Sequence, residues 1–195
     1  MPDFEFHKTS IDGLILIQPR YFTDERGYFL KSFEKHVYQE QRLPTTFTED
    51  VESLSCKGAL RGIHFQYEYP QGKLVRVSCG AVYEVAVDLR IDSPTYGKWE
   101  GFEISEENKR MLYLPEGFGS AFLSLRDHTV FTYKCTDRYS PEYESGIQWD
   151  DPDLNISWPL DMVESLVISQ RDQHHQSFKE YTARMRTYAS RYKEL

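Results

Sequence analysis

From residue 73 onward, apolar and polar side chains alternate with the period of two expected of strands. Leu74, Val75 and Val77 flank Arg76 and run to a turn at Cys79 and Gly80, and Val82, Val85, Ala86 and Val87 return around Tyr83 and Glu84. The loop Asp92, Ser93, Pro94, Thr95, Tyr96, Gly97 is dense in turn formers and precedes a strand through Trp99, Phe102 and Ile104. Residues 111–114 lead into Pro115, Glu116 and Gly117, and two further strands are expected over 121–125 and 129–139. Upstream, 4–7 and 14–17 are strand-like around a turn at Asp12 and Gly13, and 21–29 places aromatics on both sides of an acidic-basic turn. Residues 33–42 have helical composition and stop at Pro44. Short strands at roughly ten-residue spacing with one early helix predict an antiparallel sandwich or barrel. Beyond Asp161 the composition shifts, and 178–195 predicts a polar C-terminal helix. No internal repeat, low-complexity stretch or domain boundary interrupts the pattern.

Composition narrows the function classes. A chain of 195 residues can bury a sizeable single core. A net charge of −8 argues against nucleic-acid or anionic-membrane partners but leaves room for a local basic pocket. The 14 Tyr and 12 Phe suit strands and stacking surfaces. No apolar run is long enough to span a membrane, and residues 1–10 are too polar for a signal sequence, so a soluble, cytoplasmic protein is expected. Cys56, Cys79 and Cys135 are odd in number and widely spaced, which favours reduced, buried thiols over disulfides or a zinc site.

Candidate chemistry concentrates in Leu60, Arg61, Gly62, Ile63, His64, Phe65 and Gln66, followed by Gln71, Gly72 and Lys73. Three different cationic groups stand here among apolar neighbours, the expected make-up of a ligand pocket in a β-fold. On a regular strand Arg61 and Ile63 face one way and Gly62, His64 and Gln66 the other. Elsewhere, His174 and His175 read as solvated chain beside the last helix, the acidic run 150–153 as a turn or helix start, and Arg184, Arg186 and Arg191 as helix surface that could touch a second copy. No phosphate-cradling glycine loop or nucleotide-cofactor fingerprint is visible.

The central stretch, with Lys73 to Val77, Val87 to Arg90, Asp92 to Gly97, Leu114 to Phe118, Tyr133 to Thr136 and Trp149 to Pro152, resembles the dTDP-4-dehydrorhamnose 3,5-epimerase family over about residues 4–172. The resemblance implies a cupin-type antiparallel jelly roll over 1–172, with 173–195 as a helical extension of the same domain. It implies a homodimer exchanging N-terminal strands, and a nucleotide-linked 4-keto-6-deoxyhexose as substrate. Inverting a carbon beside a ketone needs a base, a cation for the enolate and an acid on the other face. By resemblance His64 is the base, Asp172 its carboxylate partner, Lys73 lies near the oxyanion, and Tyr133 is the opposing acid. Singly each has a plainer reading: a core histidine, a turn aspartate, a solvated strand-end lysine, an interior tyrosine. Together and in family order they read as a site, and the reaction calls for neither cofactor nor metal.

Substrate contacts carry over less completely. Arg26 and Arg61 match the family's diphosphate-binding arginines, Phe22, Phe29 and Tyr139 its aromatics around the nucleotide, and Glu144 a binding-site carboxylate. Four positions depart: Lys31 replaces a glutamate, Glu49 a glutamine, Val51 an asparagine and Ser120 a histidine. All four are expected in one cavity, with Lys31 and Glu49 either compensating one another or reshaping the base and phosphate contacts. They point to a different nucleotide, sugar or number of inverted centres. Rival readings are a non-catalytic sugar-nucleotide binder and a 3,4-ketoisomerase variant. A metal-dependent cupin is disfavoured because His64 stands alone in its strand, with Gln66 where a second ligand would come.

Overall fold

The computed structural model describes residues 2–192. In chain order the elements are β1 (Phe4–Lys8), β2 (Ile15–Pro19), β3 (Tyr21–Asp24), β4 (Gly27–Leu30), α1 (Lys35–Glu40), β5 (Glu49–Ser55), β6 (Ala59–Gln66), β7 (Lys73–Cys79), β8 (Ala81–Asp88), β9 (Trp99–Ser105), β10 (Met111–Leu114), β11 (Phe118–Ser124), β12 (Thr129–Cys135), β13 (Glu144–Gly146), β14 (Val167–Ile168) and α2 (Phe178–Tyr192). One sheet runs β1-β2-β10-β7-β12-β5; the other runs β13-β6-β11-β8-β9, with β14 lying parallel to β6. From β5 to β13 the chain crosses between these sheets at every step except β8 to β9, β3 and β4 pair as a separate hairpin, and the fold is a cupin-type antiparallel jelly roll.

Period-two alternation builds the core between the sheets. Val75 and Val77 from β7, Val82 and Ala86 from β8, Leu112 and Leu114 from β10, Phe118 and Phe122 from β11 and Phe131 from β12 all point inward and are buried. The outer face of the second sheet carries Ile63, Phe65, Val85 and Val87, and α2 covers it with Phe178, Tyr181 and Met185. The predicted polar helix is therefore amphipathic, with Tyr181 fully packed and hydrogen-bonded to the Leu89 carbonyl. Its start is fixed by a capping box between Ser177 and Glu180 and by Asp151, whose carboxylate accepts from the Phe178 N–H at 2.8 Å. The acidic run thus forms a turn that anchors α2. Arg184 packs over the Tyr67 ring and donates to Ser145, whereas Arg186 is exposed. The side chain of Arg191 and residues 193–195 lie outside what is described.

Two expectations need correction. The helix predicted over 33–42 is shorter because Phe33 is drawn out of it to pack on Tyr38 and Phe47, and Arg42 closes it with φ of +60°. Of the cysteines only Cys135 is buried; Cys56 and Cys79 are exposed at strand ends, and all three are free thiols.

The loop after β8 is organised by one carboxylate. Asp88 is fully buried and accepts from Arg90 Nε and Nη2, both at 2.8 Å, and from Ser93 and Thr95 hydroxyls, both at 2.6 Å. Burial alone pushes its pKa up, but these hydrogen bonds outweigh burial and hold it at about 2. A folded pKa below the unfolded one stabilises the fold above the usual aspartate range and is lost as pH falls through about 2. Asp88→Asn should cost on the order of 2 kcal/mol in urea unfolding at pH 7, with the difference from wild type closing towards pH 2. Equal stability at pH 7 would contradict this role.

Candidate active site

His64 lies on β6, the strand flanked by β11 and β13. Its register against β11 is irregular: Ser120 faces His64, yet Phe122 faces Arg61, so β6 carries one residue more than β11 over this span. Gly62 sits at the irregularity with φ of +126°, and a Cβ there would lie 2.3 Å from the Ala121 Cβ. Only glycine admits this approach. The extra residue breaks the alternation expected from sequence, and Arg61 and His64, predicted on opposite faces, both line one cavity of ≈ 610 Å³. Arg61 is steadied there by Ser55 Oγ and the Leu54 carbonyl, each at 3.2 Å.

Asp172 reaches this wall from far along the chain. β14 pairs Val167 and Ile168 with Ala59 and Leu60, and the turn that follows brings Asp172 beneath β6, its N–H donating to Ser169 Oγ. His64 Nε2 lies 2.8 Å from Asp172 Oδ1 and His175 Nε2 3.2 Å from the same oxygen, while the Gly62 N–H approaches Oδ2 at 3.4 Å. Burial pushes the carboxyl up, but the hydrogen bonds from His175 and His64, the imidazole charge and Gly62 bring it well below the usual aspartate range. An ionised carboxylate only accepts, so both imidazoles carry their proton on Nε2, and His64 keeps the Nδ1 lone pair as its basic atom. His175, expected in solvent, is instead packed into the site; His174 is exposed.

The facing sheet supplies the other wall. Lys73, Val75 and Val77 share one face of β7, and Tyr133 and Phe131 stand opposite Val75 and Val77 on β12, so Lys73 and Tyr133 both point inward. Both line the cavity, with Lys73 Nζ 5.7 Å from the Tyr133 ring centre. Burial, with Cys135, Glu144 and Glu49 nearby, pushes the phenol up to about 12 against Arg61, so Tyr133 stays protonated at neutral pH. Ser120 also lines the cavity and donates to Glu84 Oε1 at 2.9 Å. Glu84 is fully buried with Oε2 lacking a hydrogen-bond partner, and burial pushes it up to about 8 despite Ser120 and the Lys73 charge. Its place in the inward series Val82, Glu84, Ala86 is the sequence signal for this burial, although an acid in a strand ordinarily reads as surface.

The remaining predicted contacts divide. Glu144 accepts from Tyr139 OH at 2.5 Å and pairs with Arg171 at 2.6 Å, and Glu49 accepts from the Tyr139 N–H, joining three predicted residues beside the cavity through Arg171, which lines it. Val51 lines a neighbouring hollow with Arg76 and Lys134. Lys31 pairs with Asp3 and Glu34 rather than with Glu49. Phe22, Arg26 and Phe29 lie on the exposed β3–β4 hairpin, where Arg26 pairs with Asp24. Within the chain the four departures spread around the cavity: Ser120 lines it, Val51 stands opposite Tyr133 on the same face of the sheet and borders the adjoining hollow, Glu49 holds Tyr139 beside it, and ion pairs hold Lys31 outside.

Among the described residues, His64, Asp172 and His175 are the one group with the donor types of a metal site, their atoms lying within 4.8 Å. The second imidazole comes from outside β6, so the isolation of His64 holds only for its own strand. Both imidazoles converge on a single carboxylate oxygen, which is hydrogen-bonding geometry.

Fold and site together define a cupin-type protein equipped for proton transfer, with an imidazole–carboxylate pair facing a phenol and an ammonium. Residues 8–180 match the dTDP-4-dehydrorhamnose 3,5-epimerase family, and the chain belongs to that family. A dTDP-4-dehydrorhamnose 3,5-epimerase from Methanothermobacter thermautotrophicus is 53% identical over 180 residues, 92% of this chain and 97% of its own. The solved structure of a dTDP-6-deoxy-D-glucose-3,5-epimerase from Legionella pneumophila, in complex with dTDP-4-keto-L-rhamnose, superposes with a TM-score of 0.87 at 43% identity, over 90% of this chain and 93% of that one. A dTDP-4-dehydrorhamnose 3-epimerase from Streptomyces niveus is 37% identical over 84% of this chain and 79% of its own.

Glu84 makes stability depend on pH in the opposite sense to Asp88. Its folded pKa lies above its unfolded one, so stability is full below about 4.5 and falls as pH rises towards about 8. Glu84→Gln should remove a slope of roughly 1.4 kcal/mol per pH unit across that window and leave the variant more stable than wild type at pH 8. Urea unfolding at half-unit pH steps tests this; parallel curves for the two proteins would refute it.

Proposed function

We propose that the chain epimerises a nucleotide-diphosphate-linked 4-keto-6-deoxyhexose at C3 and C5, in deoxysugar or surface-polysaccharide biosynthesis. The observation that carries this reading is the 2.8 Å bond between His64 Nε2 and Asp172 Oδ1 on the wall of a cavity shared with Lys73 and Tyr133. His64 Nδ1 takes the proton from the carbon beside the ketone, breaking the C–H bond and moving its electrons into an enolate. Asp172 stabilises the imidazolium formed, and Lys73 stabilises the enolate oxygen. Tyr133 returns a proton to the opposite face of the same carbon, which inverts it.

Binding follows from charge. Arg61, Arg171 and Lys73 line the cavity, and a protein with a net charge of −8 thereby offers a local cationic seat for a diphosphate. Tyr139, Glu144 and Glu49 border it, with Val51 and Ser120 shaping the space beside base and sugar. The β3–β4 hairpin leaves Phe22 51% and Phe29 66% exposed, which supports a homodimer that exchanges N-terminal strands, each copy offering Phe22, Arg26, Phe29 and Lys31 to the other's cavity. No described helix is long and apolar enough to cross a membrane, and a soluble nucleotide-sugar substrate fits a cytoplasmic enzyme. The second reading, a single-centre variant, rests on one observation, the bond of Ser120 to Glu84 on the cavity wall.

Wild-type protein with dTDP-4-keto-6-deoxyglucose in D₂O should take up deuterium at C3 and C5. His64→Asn should lower this by on the order of 10³-fold. Tyr133→Phe should lose inversion to a similar degree while His64 still exchanges the proton on one face. Absence of exchange with dTDP-, CDP- and GDP-linked 4-keto sugars alike, or full turnover by His64→Asn, would overturn the assignment.

A further inference from the structure

The site holds a second imidazole that the reaction as derived above does not use. His175 Nε2 lies 3.2 Å from Asp172 Oδ1, the oxygen that also takes His64 Nε2. The two rings meet edge to face, with centres 5.5 Å apart and planes at 85°. Exposure falls inward along the set: the His64 side chain is 28% exposed, His175 9% and Asp172 5%. His64 therefore opens on the cavity while His175 lies behind it.

The seat for His175 is built into the backbone. Gly146 lies opposite His64 in the β13–β6 register, and a Cβ added to Gly146 would fall 2.4 Å from the His175 Cε1 and Nε2 atoms. The imidazole thus occupies space that any other residue at 146 would fill. The neighbouring Gln176 backbone bridges to Gln148 and Ile147, which fixes this stretch before α2 begins. A solvated histidine would have neither a bare glycine beneath it nor a buried carboxylate in front of it.

We propose that His175 is a positioning residue for the base. Its Nε2–H, with the Gly62 N–H on the other oxygen, clamps the Asp172 carboxylate from two sides, so that His64 meets an acceptor fixed in one place. A fixed acceptor in turn holds the His64 proton on Nε2 and leaves Nδ1 directed to substrate. Without the clamp the carboxylate can rotate, His64 loses its single tautomer, and the base is aimed less often. The charged groups bordering the set, Glu144 paired with Arg171 and the cavity cations Arg61 and Lys73, are untouched by changes at 175. This inference rests on His64 being the base, and part of its test needs no substrate.

His175→Leu fills the seat without a donor, and His175→Gln returns an N–H to the position of Nε2; His175→Met replaces the leucine variant should that one not fold. Turnover of dTDP-4-keto-6-deoxyglucose by His175→Leu should fall about tenfold to a hundredfold in kcat, with KM within about twofold, and His175→Gln should recover most of it. Independently, ¹⁵N-histidine NMR of substrate-free protein should show His64 as one Nε2–H tautomer in wild type and His175→Gln, and as a mixture in His175→Leu. An unchanged His64 tautomer in His175→Leu overturns the proposal whether or not the protein turns over. Equal loss of kcat in the leucine and glutamine variants overturns it too, since that marks a packing role. Failure of wild type to turn over, with the tautomer change present, counts against the assigned reaction and supports the clamp.

Discussion

The site depends on the close approach of β6 to β11 at Gly62. One extra residue in β6 puts Arg61 and His64 on the same side of a strand that would otherwise part them, and the bare glycine lets the backbone pass Ala121. A cation suited to phosphate and an imidazole suited to proton abstraction then open on one space. The same peptide turns the Gly62 N–H towards Asp172, so the irregularity that places His64 also helps hold its carboxylate partner. Distortion of the ladder is tolerated because the neighbouring residues remain buried: Ile63 and Phe65 pack beneath the C-terminal helix and Phe122 enters the core between the sheets.

Electrostatics divides the labour among the site's acids. Asp172 stays ionised because three donors surround it. Glu84, buried among apolar neighbours with one hydroxyl donor, stays protonated at neutral pH. Of two carboxyl groups close to one cavity, one is therefore anionic and the other neutral, and Arg61, Lys73 and Arg171 line the space although the protein as a whole is acidic. Tyr133, pushed up by burial, is kept as a neutral donor by the same low-dielectric walls.

Much of this was legible in the chain. Alternation located the strands of the core, and Lys73 and Tyr133 fell on the inward face because β7 and β12 keep their period. The family resemblance singled out His64 and Asp172 at opposite ends of the sequence. What escaped was whatever the period does not encode. The shift at Gly62 reversed the expected facing of Arg61, and a glutamate inside β8 looked like surface until its parity with Val82 and Ala86 was set against the packing. His175 follows no strand pattern; only its fit against Gly146 and Asp172 assigns it to the interior. The hairpin carrying Phe22, Arg26 and Phe29 lies away from the cavity because nothing within one chain brings it there.

The pairing of β14 with β6 extends over two residues only, yet it delivers Asp172 to a histidine 108 positions earlier. All the strands of both sheet paths precede that carboxylate in the chain. A chain ending before β14 would keep every strand of those paths yet lack the acceptor for its imidazole, along with Val167, Ile168, Ser169 and Arg171 of the cavity wall. His64 thus gains its carboxylate partner only once this late segment has been made and has docked on β6.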